Sequence, residues 1–215
     1  MEAFDLTSRP PAQLDLRWIA SSASLAFLWT TFALANVEAS LTSHHLVGLG
    51  ATLTELIVAY LYVMRRPAVA VDHRRLAWVA AGIGSFGLLA TRPSFRPLGG
   101  SRMDVLYVGL QIAGSVVAAG CLIVLGRSFG IVPANRGIIT RGPYGIVRHP
   151  VYAGFLVAMV GYALQSPSAR NFLIVAIVAV FQLVRIRYEE SCLADDQAYQ
   201  AYRRRVRYRL VPFLY

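Results

Sequence analysis

Six long apolar segments constrain the fold more than any other feature of this 215-residue chain. They run over about 18–37, 44–64, 76–90, 103–125, 150–165 and 169–186. One bilayer crossing takes about 20 apolar residues, so these segments leave no room for a sizeable soluble domain. Only 15% of the residues are charged and the mean hydropathy is +0.52, which is typical of a membrane protein. The sequence therefore predicts an all-α, polytopic transmembrane helical bundle.

Two of the apolar segments, 76–90 and 150–165, are short for a full crossing. Each is long enough only for a tilted or re-entrant helix that its neighbours protect from lipid. We therefore expect five or six spans. Because every chemical group must then lie near a helix end or in a short loop, we expect any active site at the membrane boundary.

The arginine distribution indicates the orientation of the bundle. All 21 basic residues are Arg, against 11 acidic residues, which gives a net charge of +10. With six crossings, most of the Arg lie in the loops on the side of the N-terminus, so both termini are expected in the cytoplasm. The loop at 91–102, with Arg92, Arg96 and Arg102, is the exception. The exclusive use of Arg favours a GC-rich, bacterial genome, so we expect the apolar segments to form an integral protein of the bacterial inner membrane.

This basic charge favours anionic lipids as partners of the cytoplasmic surface. No nucleic acid is expected as a partner, because the sequence shows no groove-reading element. The two cysteines, Cys121 and Cys192, form neither a disulfide framework nor a zinc motif. His44 and His45 have no further ligands nearby in the sequence, so no metal site is predicted. Cys121 is interpreted as a core residue.

The chain becomes polar after residue 186. Leu193, Tyr199, Tyr202 and Val206 recur at helical spacing between charged residues, which predicts an amphipathic helix on the membrane surface that Pro212 ends. The tyrosines of this tail are interpreted as an interfacial belt. We divide the chain into an N-terminal four-helix membrane region, 1–125, and a C-terminal region, 126–215, with a loop, two transmembrane helices and the interfacial helix.

The loop from Thr140 to Gly154 is the most informative stretch. His149 precedes a proline and is biased towards an extended backbone, and Pro150 suits the first turn of a helix. The amides and the positive dipole end of that turn favour an anionic group. The alternative is a tight interfacial turn with Arg anchors and tyrosines.

A second cluster lies at the inner end of the last span. Arg185 and Glu189 are four residues apart and share a helix face, whereas Glu190 lies about 100° further round. A carboxylate pair is unexpected beside the negative inner leaflet, so one of them needs a cationic partner, either Arg185 or a bound ligand. The alternative is a charge cluster that reaches the headgroups.

Glu55 lies near the middle of the second apolar segment. A carboxyl group inside a membrane is costly, which makes Glu55 a candidate for function. Thr52 and Thr54 are near enough in sequence to satisfy a purely structural Glu55.

Taken together, these blocks resemble the isoprenylcysteine carboxyl methyltransferase family over about residues 126–212. The similarity is carried, in order and spacing, by Gly142–Tyr144, Arg148–Gly154, Arg185, Glu189–Leu193 and Tyr199–Pro212. Members of that family are integral membrane enzymes that use S-adenosylmethionine, bound at the cytoplasmic end of the last helices and covered by the C-terminal segment.

The resemblance implies roles for individual residues. Arg185 would face the substrate and Glu189 the cofactor, and these two are the predicted catalytic residues. The remaining implied cofactor contacts are Gly137, Ile138, Ile139, Tyr144, His149, Pro150, Val151 and Tyr152. The chain departs from the family pattern between Leu193 and Tyr199, where it is about two residues shorter and lacks the usual Gly, and at Phe129, where some relatives carry a polar contact.

The chemistry of the residues agrees with this resemblance. S-adenosylmethionine needs a carboxylate, an anion-binding group and an aromatic slot. Glu189 or Glu190 supplies the first and Arg148 with the turn before Pro150 the second. We therefore add Arg148 and Glu190 to the predicted cofactor contacts. Tyr144 or Tyr152 supplies the slot.

The acceptor stays open at this point. A prenylated cysteine carboxylate, a phospholipid or other amphiphile, and a small thiol all fit a pocket that opens to the bilayer, and Arg185 slightly favours an acidic acceptor. An amine would need a base, for which Glu189, Glu190 and His149 are candidates. Two other classes remain, namely a sterol-type reductase that uses NADPH and a non-enzymatic membrane scaffold.

Overall fold

The protein is a bundle of apolar helices with a polar cap at one end. The computed structural model describes residues 16–43, 47–92, 99 and 101–214. In these residues the helices are α1 (Leu16–Ser43), α2 (Val47–Met64), α3 (Arg75–Phe86), α4 (Ser101–Leu125), α5 (Pro150–Gln165), α6 (Ala169–Cys192) and α7 (Gln197–Arg205). Each of the six predicted apolar segments is a helix, and α5 begins at Pro150 as predicted. His44, His45 and most of the loop at 91–102 lie outside the described residues.

Three of these helices contain a stretch long and apolar enough to cross a membrane: Trp18–Glu38, Met103–Ser128 and Ala169–Cys192. The remaining three apolar helices are shorter. The 12 residues of α3 rise about 18 Å at 1.5 Å per residue, less than the hydrocarbon core of about 30 Å. A 3₁₀ turn over Gly87–Ala90 extends α3 by four residues, and the hydroxyl of Tyr162 in α5 donates to Thr91 just after it. The chain is an integral membrane protein, and α3 packs against α6.

Glycines allow α4 and α5 to approach at backbone distance. A Cβ atom on Gly114 would lie 2.5 Å from the amide nitrogen of Ala158, and one on Gly154 would lie 2.7 Å from that of Ala118. Such close approach of small residues is a main source of helix association in membranes. These glycines therefore fix how α5, which carries the Arg-His-Pro turn at its start, sits against α4.

Several contacts tie the helix ends together at one end of the bundle, which we call the polar end. Arg65, just after α2, donates from Nε to Ser22 Oγ of α1 at 3.0 Å, so the start of α1 and the end of α2 lie together. The amide of Arg66 donates to the carbonyl of Arg127, after α4, at 2.7 Å. Two short strands that the sequence did not predict, β1 (Ala70–Val71) and β2 (Ala134–Asn135), pair antiparallel.

The predicted amphipathic tail helix is present as α7, but it ends at Arg205 and not at Pro212, because the extended backbone after it bonds to Arg148 and His149. The surface that α7 covers also differs from the expectation. Tyr199 and Tyr202 are 3% and 6% exposed and pack, with Val206, against Ile138 and Leu193 of the protein itself. The interpretation of these tyrosines as an interfacial belt is therefore wrong. Amphipathic spacing identifies which face of a helix is buried, but it does not show whether lipid or protein covers that face. Here the apolar face of α7 packs on the loop before α5.

We expect Gly114→Ala to destabilise the bundle by about 1–3 kcal/mol, because the new Cβ would overlap the backbone of α5. Gly120→Ala, in the same helix, is the matched control because no atom of the residues that the structure describes lies within 4 Å of its added Cβ. Thermal unfolding in detergent should show a lower midpoint for Gly114→Ala and an equal or higher one for Gly120→Ala. Equal midpoints would contradict the proposed α4–α5 packing.

Candidate active site

A cavity of about 640 Å³ lies between the helices and extends to the polar end of the bundle. Its size is within the usual range for small-molecule sites, about 300–1,000 Å³. Most of the predicted site residues line it, namely Gly137, Ile138, Ile139, Tyr144, Arg148, His149, Val151, Tyr152, Arg185 and Glu189. Pro150 and Glu190 are not among the lining residues. The structure thus brings together segments that are up to about 50 residues apart in the sequence.

Glu189 presents a carboxylate to this cavity. Arg185 donates from Nε to Glu189 Oε1 at 3.1 Å, which confirms the predicted pairing on one helix face. The hydroxyl of Tyr152 donates to the same oxygen. His149 Nδ1 lies 3.8 Å from Oε2, and the Glu189 side chain is 21% exposed. This carboxylate is therefore fixed in position while part of it remains open to the cavity.

The guanidinium of Arg185 is buried and bound from three sides. Besides Glu189, its Nη1 donates to Ser85 Oγ at 3.3 Å and its Nη2 donates to the carbonyl of Gly130 at 3.0 Å. The group also lies over the ring of Tyr152, 5.3 Å from the ring centre. Arg185 thus joins α3, the loop after α4 and α6 at the wall of the cavity, and three of its five N–H hydrogens are used in doing so.

Glu190 points to a different side of α6 and holds the tail on the Arg-His-Pro turn. Its Oε1 accepts from Arg148 Nε at 2.8 Å and lies 3.2 Å from His149 Nε2. Its Oε2 accepts from Arg209 Nη2 at 2.8 Å. Arg148 Nη1 also donates to the carbonyl of Val206 at 2.8 Å. The expectation that one of the two glutamates pairs with Arg185 is confirmed for Glu189, whereas the partners of Glu190, Arg148 and Arg209, were not predicted.

Two buried tyrosines close the cavity at the polar end. Tyr144 donates to the carbonyl of Cys121 at 3.3 Å, and Tyr202 donates to the carbonyl of Tyr144 at 2.7 Å. Burial raises the pKa of Tyr144 far above its usual value and that of Tyr202 to about 12. Both hydroxyls therefore stay protonated at neutral pH and act as donors. Cys121 lies in the core, as predicted.

Arg136 lines the cavity and was not predicted as a site residue. Its Nε is buried without a hydrogen-bond partner among the described residues. Burial, together with repulsion from Arg65, lowers the pKa of Arg136 to about 10, so the group keeps its charge at neutral pH. A single Arg in an irregular loop gives no sequence signal that separates it from the other twenty.

The deeper part of the cavity is aromatic, and the carboxyl group of Glu55 also lies there. Trp29 stacks on Phe86 with ring centres 5.6 Å apart, and both line the cavity. Glu55 also lines it and accepts hydrogen bonds from Asn36 Nδ2 at 2.9 Å on both carboxyl oxygens. The partner of Glu55 that the structure shows is thus Asn36 of α1, which the sequence reasoning did not consider.

Fold and site together define a class: a polytopic membrane protein whose short terminal helix covers a cavity at one end of the bundle. A sequence profile of the phospholipid methyltransferase family matches residues 105–200, from α4 to α7. The eukaryotic intramembrane Ras methyltransferase, isoprenylcysteine carboxyl methyltransferase, has a similar structure, with a TM-score of 0.50 at 18% identity over 92% of this chain and 77% of that one. This similarity confirms the predicted helical membrane fold.

Two curated relatives match part of the chain. Protein-S-isoprenylcysteine O-methyltransferase A of Arabidopsis thaliana is 34% identical over 88 residues, which cover 38% of this chain and 45% of the relative. Delta(14)-sterol reductase of Mus musculus is 32% identical over 85 residues, covering 38% of this chain and 20% of the relative. The chain therefore spans less than half the length of either relative. The resemblance to the isoprenylcysteine carboxyl methyltransferase family is confirmed.

We expect Glu190→Ala to release the tail, because Arg148 and Arg209 would lose their shared carboxylate. Breaking a buried ion pair by removing one partner costs about 3–5 kcal/mol. Limited trypsin digestion in detergent should cleave the Arg-rich segment 203–209 faster than in the wild type. Asp195→Ala, which removes an exposed acid next to the same tail, is the control and should be cleaved at the wild-type rate. Equal rates in both variants would contradict the clamping role of Glu190.

Proposed function

We propose that this protein is a methyltransferase of the membrane, which transfers a methyl group from S-adenosylmethionine to a lipophilic acceptor that enters from the bilayer. The observation that carries this proposal is the Glu189 carboxylate, held by Arg185 and Tyr152 and open to a cavity of suitable size. The similarity of the region 105–200 to phospholipid methyltransferases supports it, as does the similarity of 88 residues of the chain to a plant isoprenylcysteine O-methyltransferase.

The residues at the polar end fit the charges of S-adenosylmethionine. Glu189 suits its ammonium group, and Arg136, with an unpartnered buried Nε, suits its carboxylate. Ile138, Ile139 and Tyr144 form an apolar and aromatic wall for the adenine. We assign Glu190 and Pro150 to positioning, since Glu190 binds Arg148 and Arg209 and Pro150 begins α5.

When bound, S-adenosylmethionine would supply an activated methyl group, whose carbon forms a bond to the acceptor's nucleophile while its bond to sulfur breaks and a neutral thioether leaves. The chain has to align the two reactants and keep water out. Such alignment can contribute about 7–11 kcal/mol to lowering a barrier. The buried Tyr199 and Tyr202 of α7 exclude water at the polar end. His149 and Glu189 line the cavity and can take a proton from an acceptor that has to lose one.

The acceptor binds with its chain in the aromatic part of the cavity, along Trp29, Phe32 and Phe86. A prenylated cysteine, a phospholipid and a smaller thiol amphiphile are the acceptor classes. In a bacterial inner membrane, with both termini in the cytoplasm, the exposed Arg203, Arg204 and Arg205 of α7 would face anionic lipid headgroups.

Calorimetry on the purified protein in detergent tests the cofactor. We expect S-adenosylmethionine to bind the wild type, and Glu189→Gln to weaken that binding about tenfold or more, because a hydrogen bond to a charged group contributes about 1.5–3 kcal/mol. Arg205→Ala, on an exposed face of α7, is the control and should bind as the wild type does.

Two results of this calorimetry would count against the proposal. Binding of NADPH in place of S-adenosylmethionine would favour the sterol-type reductase, and binding of neither would favour a membrane scaffold. Incubating membranes with methyl-labelled S-adenosylmethionine then identifies the acceptor, as the extractable compound that becomes labelled.

A further inference from the structure

Gln182 of α6 carries a polar atom that the methyltransferase proposal does not use. Its side chain is 4% exposed and lines the cavity. The Nε2 group donates to the carbonyl of Gly84 in α3 at 2.9 Å. The Oε1 atom is buried and has no hydrogen-bond partner among the described residues. The amide is thus held at one end and left unsatisfied at the other.

A buried acceptor without a donor is costly, about 1–3 kcal/mol, and is rare in native structures. The bond to Gly84 fixes the orientation of the amide, because a carbonyl can pair only with the NH₂ end of Gln182. The oxygen therefore cannot rotate away to find a partner on α3. Since Gln182 lines the cavity, a ligand in the cavity can supply the missing donor.

The position of Gln182 places this oxygen near the reacting end of the acceptor. Gln182 lies three residues before Arg185, on the same face of α6 and about 4.5 Å deeper in the bundle at 1.5 Å per residue. Ser85, the residue after Gly84, accepts from Arg185. The unpartnered oxygen therefore lies between the charged polar end and the aromatic part of the cavity, where the head of an acceptor meets its apolar chain.

We propose that Gln182 Oε1 accepts a hydrogen bond from the head group of the methyl acceptor, and that the acceptor is an amphiphile whose head carries an O–H or N–H donor. This inference rests on the proposed function for its reaction, although the binding site itself does not depend on the cofactor. A carboxylate without a proton would place oxygen against oxygen at Gln182. The three protein contacts of Arg185 also leave that group less available to an acidic acceptor than its sequence position indicated.

The test compares head groups on one chain length with the full protein in detergent. Dodecan-1-ol and dodecylamine carry a donor, whereas dodecyl methyl ether and dodecanoate at neutral pH do not. The concentration of each probe that raises the thermal unfolding midpoint halfway to its maximum reports its affinity. We expect dodecan-1-ol or dodecylamine to act at about five- to tenfold lower concentration than the ether, the usual effect of one hydrogen bond to a buried group.

Two variants test whether Gln182 causes the preference for head groups that carry a donor. In Gln182→Met, the ether and the alcohol should raise the unfolding midpoint halfway at about the same concentration, so the ratio of these two concentrations should be about one. Gln165→Met is the control, because Gln165 also lines the cavity but has both polar ends bonded, to Gln111 and Asp104, so its ratio should stay as in the wild type. No preference for donor heads in the wild type, or a preference that persists in Gln182→Met, would overturn the inference.

Failure of this inference and failure of the proposed function give different results. Calorimetry with S-adenosylmethionine should give the same affinity in Gln182→Met as in the wild type. If the protein binds no S-adenosylmethionine but keeps the preference for donor heads, the methyltransferase assignment fails and the ligand site stands. If S-adenosylmethionine binds and the donor preference is absent, only the role of Gln182 fails.

Discussion

The ion-pair cluster around Glu190 is the interaction on which the site depends. Its carboxylate accepts from Arg148, 42 residues earlier, and from Arg209, 19 residues later. Side-chain exposures of 5% for Arg148 and 8% for Glu190 show that this charge is sealed from water. A buried charge is tolerated only when it is paired and hydrogen-bonded, so the turn before α5, the end of α6 and the tail after α7 have to assemble together.

The two adjacent glutamates divide their roles because a helix turns about 100° per residue. Glu189 follows Arg185 by four residues and shares its face, which lines the cavity. Glu190 faces the turn and the tail instead. One rigid helix thus positions both Glu190, which holds the tail over the polar end, and Glu189, which faces a ligand. Because these two residues are adjacent in the chain, their backbone positions are fixed relative to each other.

Local patterns explain what the sequence could predict. The six helices follow from apolar length, the start of α5 from a proline at its first turn, and the Arg185–Glu189 pair from helical spacing. Contacts between distant segments explain what it could not. The unpartnered ends of Arg136 and Gln182, the Asn36–Glu55 pair and the β1–β2 pairing depend on which helices become neighbours, and no local pattern encodes that.

The cavity changes in character along its length, and this gradient orients whatever binds there. At the polar end, charged groups such as Glu189 and Arg136 favour a ligand that carries both signs of charge. In the depth of the bundle, Trp29 and Phe86 favour an apolar chain. Reversing an amphiphile would place its apolar chain among the charged groups of the polar end and leave the Gln182 oxygen facing hydrocarbon, so the cavity favours one orientation. That orientation brings the acceptor's head to Arg185 and Glu189, where methyl transfer would take place.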